Sequence, residues 1–212
     1  MFRIPGTAMI AALVLASAAS AATVSAVQPA AGGEPVAVAQ AGAAGLTQDH
    51  LKTLFFEAAR EGRNDLLDGL IQSGMRPDER DPHGYTALIL AAYNERPATV
   101  DFLIGKGADA CAADPQGNSS LMGVAFKGEA AIARRLIAAH CDVNARNLAG
   151  QTALMMAALF GRSEVVKLLL ANGADAAVRD RSGNTAVSLA TQQGSTEMVA
   201  LLTQGGARGM PN

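Results

Sequence analysis

The side chains best suited to nucleophilic, metal or redox chemistry are His50, His83, His140, Cys111 and Cys141. A catalytic serine, a zinc-bound water and a cradled phosphate each have a local signature, respectively G-x-S-x-G, H-E-x-x-H and the P-loop, and the chain contains none of them. Neither cysteine has a histidine at a recognisable spacing, and no His, Asp or Cys stands at ligand spacing to His140. Catalysis is therefore not expected, nor is a metal or a cofactor. The remaining chemistry is that of the two cysteines with each other, and judging it requires the elements that carry them.

Those elements follow from a repeat. Gly84, Gly117, Gly150 and Gly183 fall 33 residues apart, Leu88, Leu121, Leu154 and Val187 keep the same step, and so do Leu103, Leu136, Leu169 and Leu202. A fixed period of this length marks stacked supersecondary units. In the clearest unit, residues 147–179, Thr152 caps a helix whose small apolar face is Ala153, Leu154, Ala157 and Ala158. Gly161 breaks it, a second helix carries Val165, Val166, Leu168, Leu169 and Leu170, and a left-handed Gly173 closes that one. The alanines let the two helices approach closely. Neither helix covers the leucines alone, so neighbouring units must stack to bury them.

With this turn, helix, helix order, a T-x-L-x-x-A-A core at Thr152, Leu154, Ala157 and Ala158, and the closing Gly173, Ala174 and Asp175, the unit resembles the ankyrin repeat. The resemblance implies an all-α solenoid of about five helix-turn-helix units with β-turn fingers. The units are residues 46–80 as N-terminal cap, 81–113, 114–146, 147–179, and 180–208 as C-terminal cap. In the first, Thr47 or Asp49 is expected to cap the leading helix, with Lys52, Glu57, Arg60 and Glu61 on a wet outer face. The second has Glu95 where later units have glycine, with Pro97 two residues on, and a remodelled inter-helix turn is expected there. The third uses Ser119 for the capping threonine and His140 for the closing glycine, so His140 reads as a mildly strained helix end. Gly205, Gly206 and Gly209 are expected to fray the chain to its end.

Cys111 leaves the second unit and Cys141 leaves the third, three positions earlier in register. In an exported chain an even cysteine count permits a disulfide. The competing reading is two small buried thiols, because Cys141 occupies the position of Ala108 and Ala174 in the flanking units.

Export is itself an expectation from the first residues. In residues 1–26 Arg3 is the one charge, an apolar core runs from about Met9 to Leu15, and A-x-A sites follow at Ala16 to Ala18 and Ala19 to Ala21. This reads as a secretory signal peptide followed by a flexible Ala, Gly and Pro linker over residues 27–45. A membrane anchor is the alternative, since the uncharged run from Ile4 to about Gly33 is long enough to span a bilayer. Cleavage would leave no membrane insertion and remove Arg3, taking 17 basic against 19 acidic residues to 16 against 19, a net charge of −3. No basic run exists to neutralise phosphates, so nucleic acid is not an expected partner.

The ankyrin resemblance also implies where a protein would bind: the fingers and the exposed ends of the first helices form a concave face. On this sequence the finger positions include Pro82, His83 and Tyr85, then Pro115, Gln116 and Asn118, then Leu148, Ala149 and Gln151. The helix positions are Tyr93 and Asn94, Phe126 and Lys127, Leu159 and Phe160, Gln192 and Gln193. Aromatics rimmed by amides and a lysine suit an interface; packing of Phe126 and Leu159 as extra core is the competing reading. The expectation is a monomeric, non-catalytic module, periplasmic or secreted, presenting this face to a protein partner. Its resemblance to exported bacterial ankyrin proteins suggests support of a periplasmic enzyme or of stress defence. A scaffold tethered to the inner membrane by an uncut N-terminus is the alternative.

Overall fold

The structure, a computed structural model, describes residues 47–206. The signal peptide, the linker and Gly209 lie outside the described residues. Within them are ten helices: α1 (Gln48–Glu61), α2 (Asn64–Gln72), α3 (Ala87–Tyr93), α4 (Pro97–Gly105), α5 (Ser120–Lys127), α6 (Ala130–Ala138), α7 (Ala153–Leu159), α8 (Ser163–Ala171), α9 (Ala186–Gln192) and α10 (Thr196–Gly206). No strand forms among these residues; single antiparallel bridges join Arg80 to Thr86 and Ala113 to Ser119. None of the helices is long and apolar enough to cross a membrane.

Each odd-numbered helix pairs with the even-numbered one after it, and the odd helices stack side by side from α1 to α9. A hydroxyl starts every odd helix: Thr47, Thr86, Ser119, Thr152 and Thr185 accept from the amides of His50, Ile89, Met122, Met155 and Ser188. Each such cap contributes about 1 kcal/mol. Close stacking is permitted by alanine pairs on the facing surfaces, Ala58 and Ala59, Ala91 and Ala92, Ala157 and Ala158, all at most 1% exposed. Leu67, Leu103, Leu136, Leu169 and Leu202 fill the space behind them. The first helix has 14 residues against seven in α3, because it extends where later units carry a finger. Of its polar residues, Glu57 and Glu61 are exposed, whereas Lys52 pairs with Glu79 at 2.7 Å and Arg60 with Asp81 at 3.3 Å.

Two expectations are corrected. The turn at Glu95 is retained, not remodelled: Glu95 adopts φ 60°, and Arg96 N–H donates to the Ala91 carbonyl at 2.9 Å, as Arg162 does to Ala157 at 2.8 Å. Closing the hydrogen bond demands a left-handed residue, and glutamate accepts the conformation at a cost of about 1 kcal/mol. Pro97 then opens α4, where no N–H is needed. At the other end, α10 continues through Gly205 and Gly206 and does not fray there. A Cβ at Gly205 would stand 2.5 Å from Leu170 Cδ1, so this glycine permits close packing of α10 on α8. His140 takes φ 62° and is exposed.

Four fingers, residues 73–86, 106–119, 139–152 and 172–185, join the pairs. In each, one carboxylate or amide oxygen, from Asp81, Asp114, Asn147 or Asp180, accepts the amides two and four residues on, at 2.8–3.0 Å. This local side-chain bonding fixes the turn without any strand ladder. Cys111 of the second finger and Cys141 of the third are joined by a disulfide, with Cα atoms 5.2 Å apart.

Candidate protein-interaction face

The odd helices turn the same register positions toward the fingers. Leu90, Gly123 and Met156 are 33 residues apart on α3, α5 and α7. The middle one has no side chain, and beyond its own helix a Cβ there would meet only Tyr93 Cδ2, at 3.7 Å. The gap opens a groove of about 650 Å³, lined by Ile89, Leu90, Tyr93, Met122, Gly123, Phe126 and Met156, with Arg60, His83, Tyr85, Asn94, Asp114, Asn118, Ser119 and Ser120 around them.

An aromatic ladder runs along it. Tyr93 and Phe126 lie nearly parallel with centroids 6.5 Å apart, and Phe160 meets Phe126 edge-on at 4.5 Å. Tyr93 is 47% exposed and Phe160 43%, with Phe126 half-buried between them. Lys127 Nζ sits 5.1 Å from the Tyr93 ring centre and 3.1 Å from the Glu95 carboxylate. It thereby holds the tyrosine from the α5 side by a cation–π contact. At the N-terminal edge, Arg60 pairs with Asp81. The charges beside the groove are thus largely paired, and its floor is apolar.

Of the positions expected from the sequence, the groove brings together His83, Tyr85, Tyr93, Asn94, Asn118 and Phe126. Phe160 stands beyond it, on the far side of Phe126. Leu159 and Tyr85 also pack on the core. Gln116 and Gln151 belong to finger-to-finger and intra-finger bonding: the Gln116 carbonyl accepts Leu148 N–H at 2.9 Å, and Gln151 Oε1 accepts Asn147 Nδ2 at 3.2 Å. The floor residues Ile89, Leu90, Met122, Gly123 and Met156 were not anticipated. Their signal was present in the register, where one glycine interrupts a row of large apolar residues.

Two carboxyls of the fingers are shifted. At Asp180, desolvation pushes the pKa up, but the Asn184 and Ser182 amides, the Asn184 side chain and Arg146 together hold it below its ordinary value. Glu79 is held low chiefly by its hydrogen bond with Lys52, against an opposing desolvation, with Arg76 assisting. Among the described residues no three His, Cys, Asp or Glu side chains are grouped as metal ligands would be.

A family model described as ankyrin repeats, three copies, matches residues 15–114 and 121–210. The chain belongs to the ankyrin-repeat family. Ankyrin repeats are generally protein–protein interaction modules and typically non-catalytic. The groove lies on the face that ankyrin fingers and first helices share. No curated protein matches this ankyrin chain.

Proposed function

We propose that the protein is an exported, non-catalytic binding module that holds a protein partner in the groove over Gly123, with Tyr93, Phe126 and Phe160 as its anchors. The observation that carries this reading is the groove itself, an apolar hollow lined by Phe126 and by Tyr93, which is 47% exposed, with the exposed Phe160 just beyond Phe126. Half-exposed aromatics beside a concave apolar floor are the usual energetic centre of an interface. Export is supported by the apolar N-terminal segment and by the Cys111–Cys141 bridge, a bond that persists in oxidising compartments. The partner is taken to belong to the cell envelope or the medium around it, an enzyme or stress-defence protein being the kind that the family resemblance suggests.

The test is capture from envelope extract with the full chain, in parallel with a variant carrying Tyr93→Ala, Phe126→Ala and Phe160→Ala. A specific protein retained by the first and lost by the second is the expected result. Retention of the same proteins by both removes the groove as the binding face. Sequencing the N-terminus of the exported protein separates a cleaved module, beginning near Val27, from a membrane-tethered one that keeps Met1.

A further inference from the structure

The finger-to-finger junctions are not built alike. Between the first and second fingers, Asp109 N–H donates to Asp78 Oδ1 at 2.8 Å and Arg80 Nη1 to the Ala113 carbonyl at 2.9 Å. Between the third and fourth, Asp175 N–H donates to Asn144 Oδ1 at 2.8 Å and Arg146 Nη2 to the Arg179 carbonyl at 2.6 Å. The same two positions in the second finger hold Cys111 and Ala113. Alanine cannot donate to the third finger as the arginines do. Glu129 is also the residue just before α6, where Arg96 and Arg162 precede α4 and α8, and each arginine donates to a carbonyl of the first helix in the unit before, Arg60 or Phe126. A carboxylate has no proton for that bond. Three polar links present at other junctions are therefore missing around the α5–α6 hairpin, and the disulfide spans that hairpin from the finger before α5 to the first residue after its closing turn. The hairpin carries Met122, Gly123 and Phe126, three of the residues that line the groove.

We infer that the Cys111–Cys141 bond is a redox latch on the α5–α6 hairpin, and through it on the groove. A dithiol reductant opens it. Cys111 is exposed and Cys141 only 8% exposed, so the donor thiolate attacks the Cys111 sulfur, the S–S bond breaks, and Cys141 leaves as a thiolate that takes up a proton. The donor's second thiol then displaces Cys111. Two electrons and two protons pass in all, the donor ends as a disulfide, and the chain ends with two thiols. The hairpin then keeps the fingertip bonds, Leu148 N–H to the Gln116 carbonyl and Asn147 Nδ2 to Asn118 Oδ1, the Arg162 bond to the Phe126 carbonyl, and the ion pairs Lys127–Glu95 and Arg135–Asp101. Exposed ion pairs contribute little, so with the bond open the hairpin is held by its buried apolar faces and by fewer polar links than the hairpins at the other junctions.

Amide hydrogen exchange on the full chain, oxidised and reduced, tests the latch. Exchange across residues 106–152 is expected to quicken about tenfold or more on reduction, with residues 48–100 and 160–200 changed far less. Equal exchange in both states, or a uniform rise along the whole array, overturns the inference. A variant with Cys111→Asn, Ala113→Arg and Cys141→Ala places the side chains found at the other junctions at these three positions and leaves Glu129 unchanged. It is expected to keep the slow pattern with or without reductant, and rapid exchange in its hairpin also overturns the inference. The regulatory consequence rests on the groove being the binding face, but the exchange readout needs no partner, so the failure of one is distinguishable from the failure of the other.

Discussion

Gly123 stands in a helix interior where a Cβ would make only an ordinary contact, 3.7 Å from Tyr93 Cδ2. Alanine there gains helix propensity without a clash, so Gly123→Ala is expected to raise stability by about 0.5–1 kcal/mol in denaturant unfolding. Gly123→Leu fills the hollow, and the expected outcome is a folded protein that no longer captures its partner. A protein stabilised by one substitution and disarmed by another at the same site would separate groove from fold. The left-handed residues give a second pair of predictions. His140→Gly relieves φ 62° and is expected to add about 1 kcal/mol. Glu95→Gly relieves φ 60° but also loses the pair with Lys127, so its gain is expected to be smaller. Chemical denaturation of both variants checks the order.

At the scale of the element, the fingers depend on a side-chain oxygen that accepts two amides, and the third finger achieves this with Asn147 where the fourth uses Asp180. An amide keeps this role at any pH, whereas a carboxylate loses it on protonation. Because the folded pKa values of Asp180 and Glu79 lie below their ordinary values, their contribution is complete above the ordinary carboxylate range. It is lost as pH falls through the depressed values, below the ordinary carboxylate range. Thermal melts are expected to drop on that acid limb, and Asp180→Asn is expected to flatten part of the drop. Helices and caps were legible in the sequence because apolar spacing and Thr or Ser at a fixed step encode them locally. Thr86, Ser119 and Thr152 cap where the period puts them. The Glu95 turn was misread because hydrogen-bond closure outweighs a residue's dislike of positive φ. The hollow at Gly123 was missed because a missing side chain becomes a feature only when its neighbours on two other helices are in place. The Cys111–Cys141 pairing was left open because a sequence separation of 30 says nothing about a Cα distance of 5.2 Å.

The whole array is a line of units, each touching its neighbours, so its stability is close to a sum over junctions. Closing a loop of 30 residues contributes about 3.6 kcal/mol in the chain-entropy picture, and that contribution is concentrated at one place in the line. Reduction is therefore expected to lower the denaturant midpoint and broaden the transition, because the outer units no longer unfold together with the hairpin between them. The same bond has a mechanical consequence. In a solenoid stretched from its ends the load passes through every unit in turn, but the disulfide offers a short path around α5 and α6. About 100 Å of contour, 30 residues at ~3.5 Å each, stays out of reach of the force while the bond is intact. Pulled to full extension, the oxidised molecule should stop about 100 Å short of the reduced one, with the α5–α6 pair slack inside a covalent ring while its neighbours unravel.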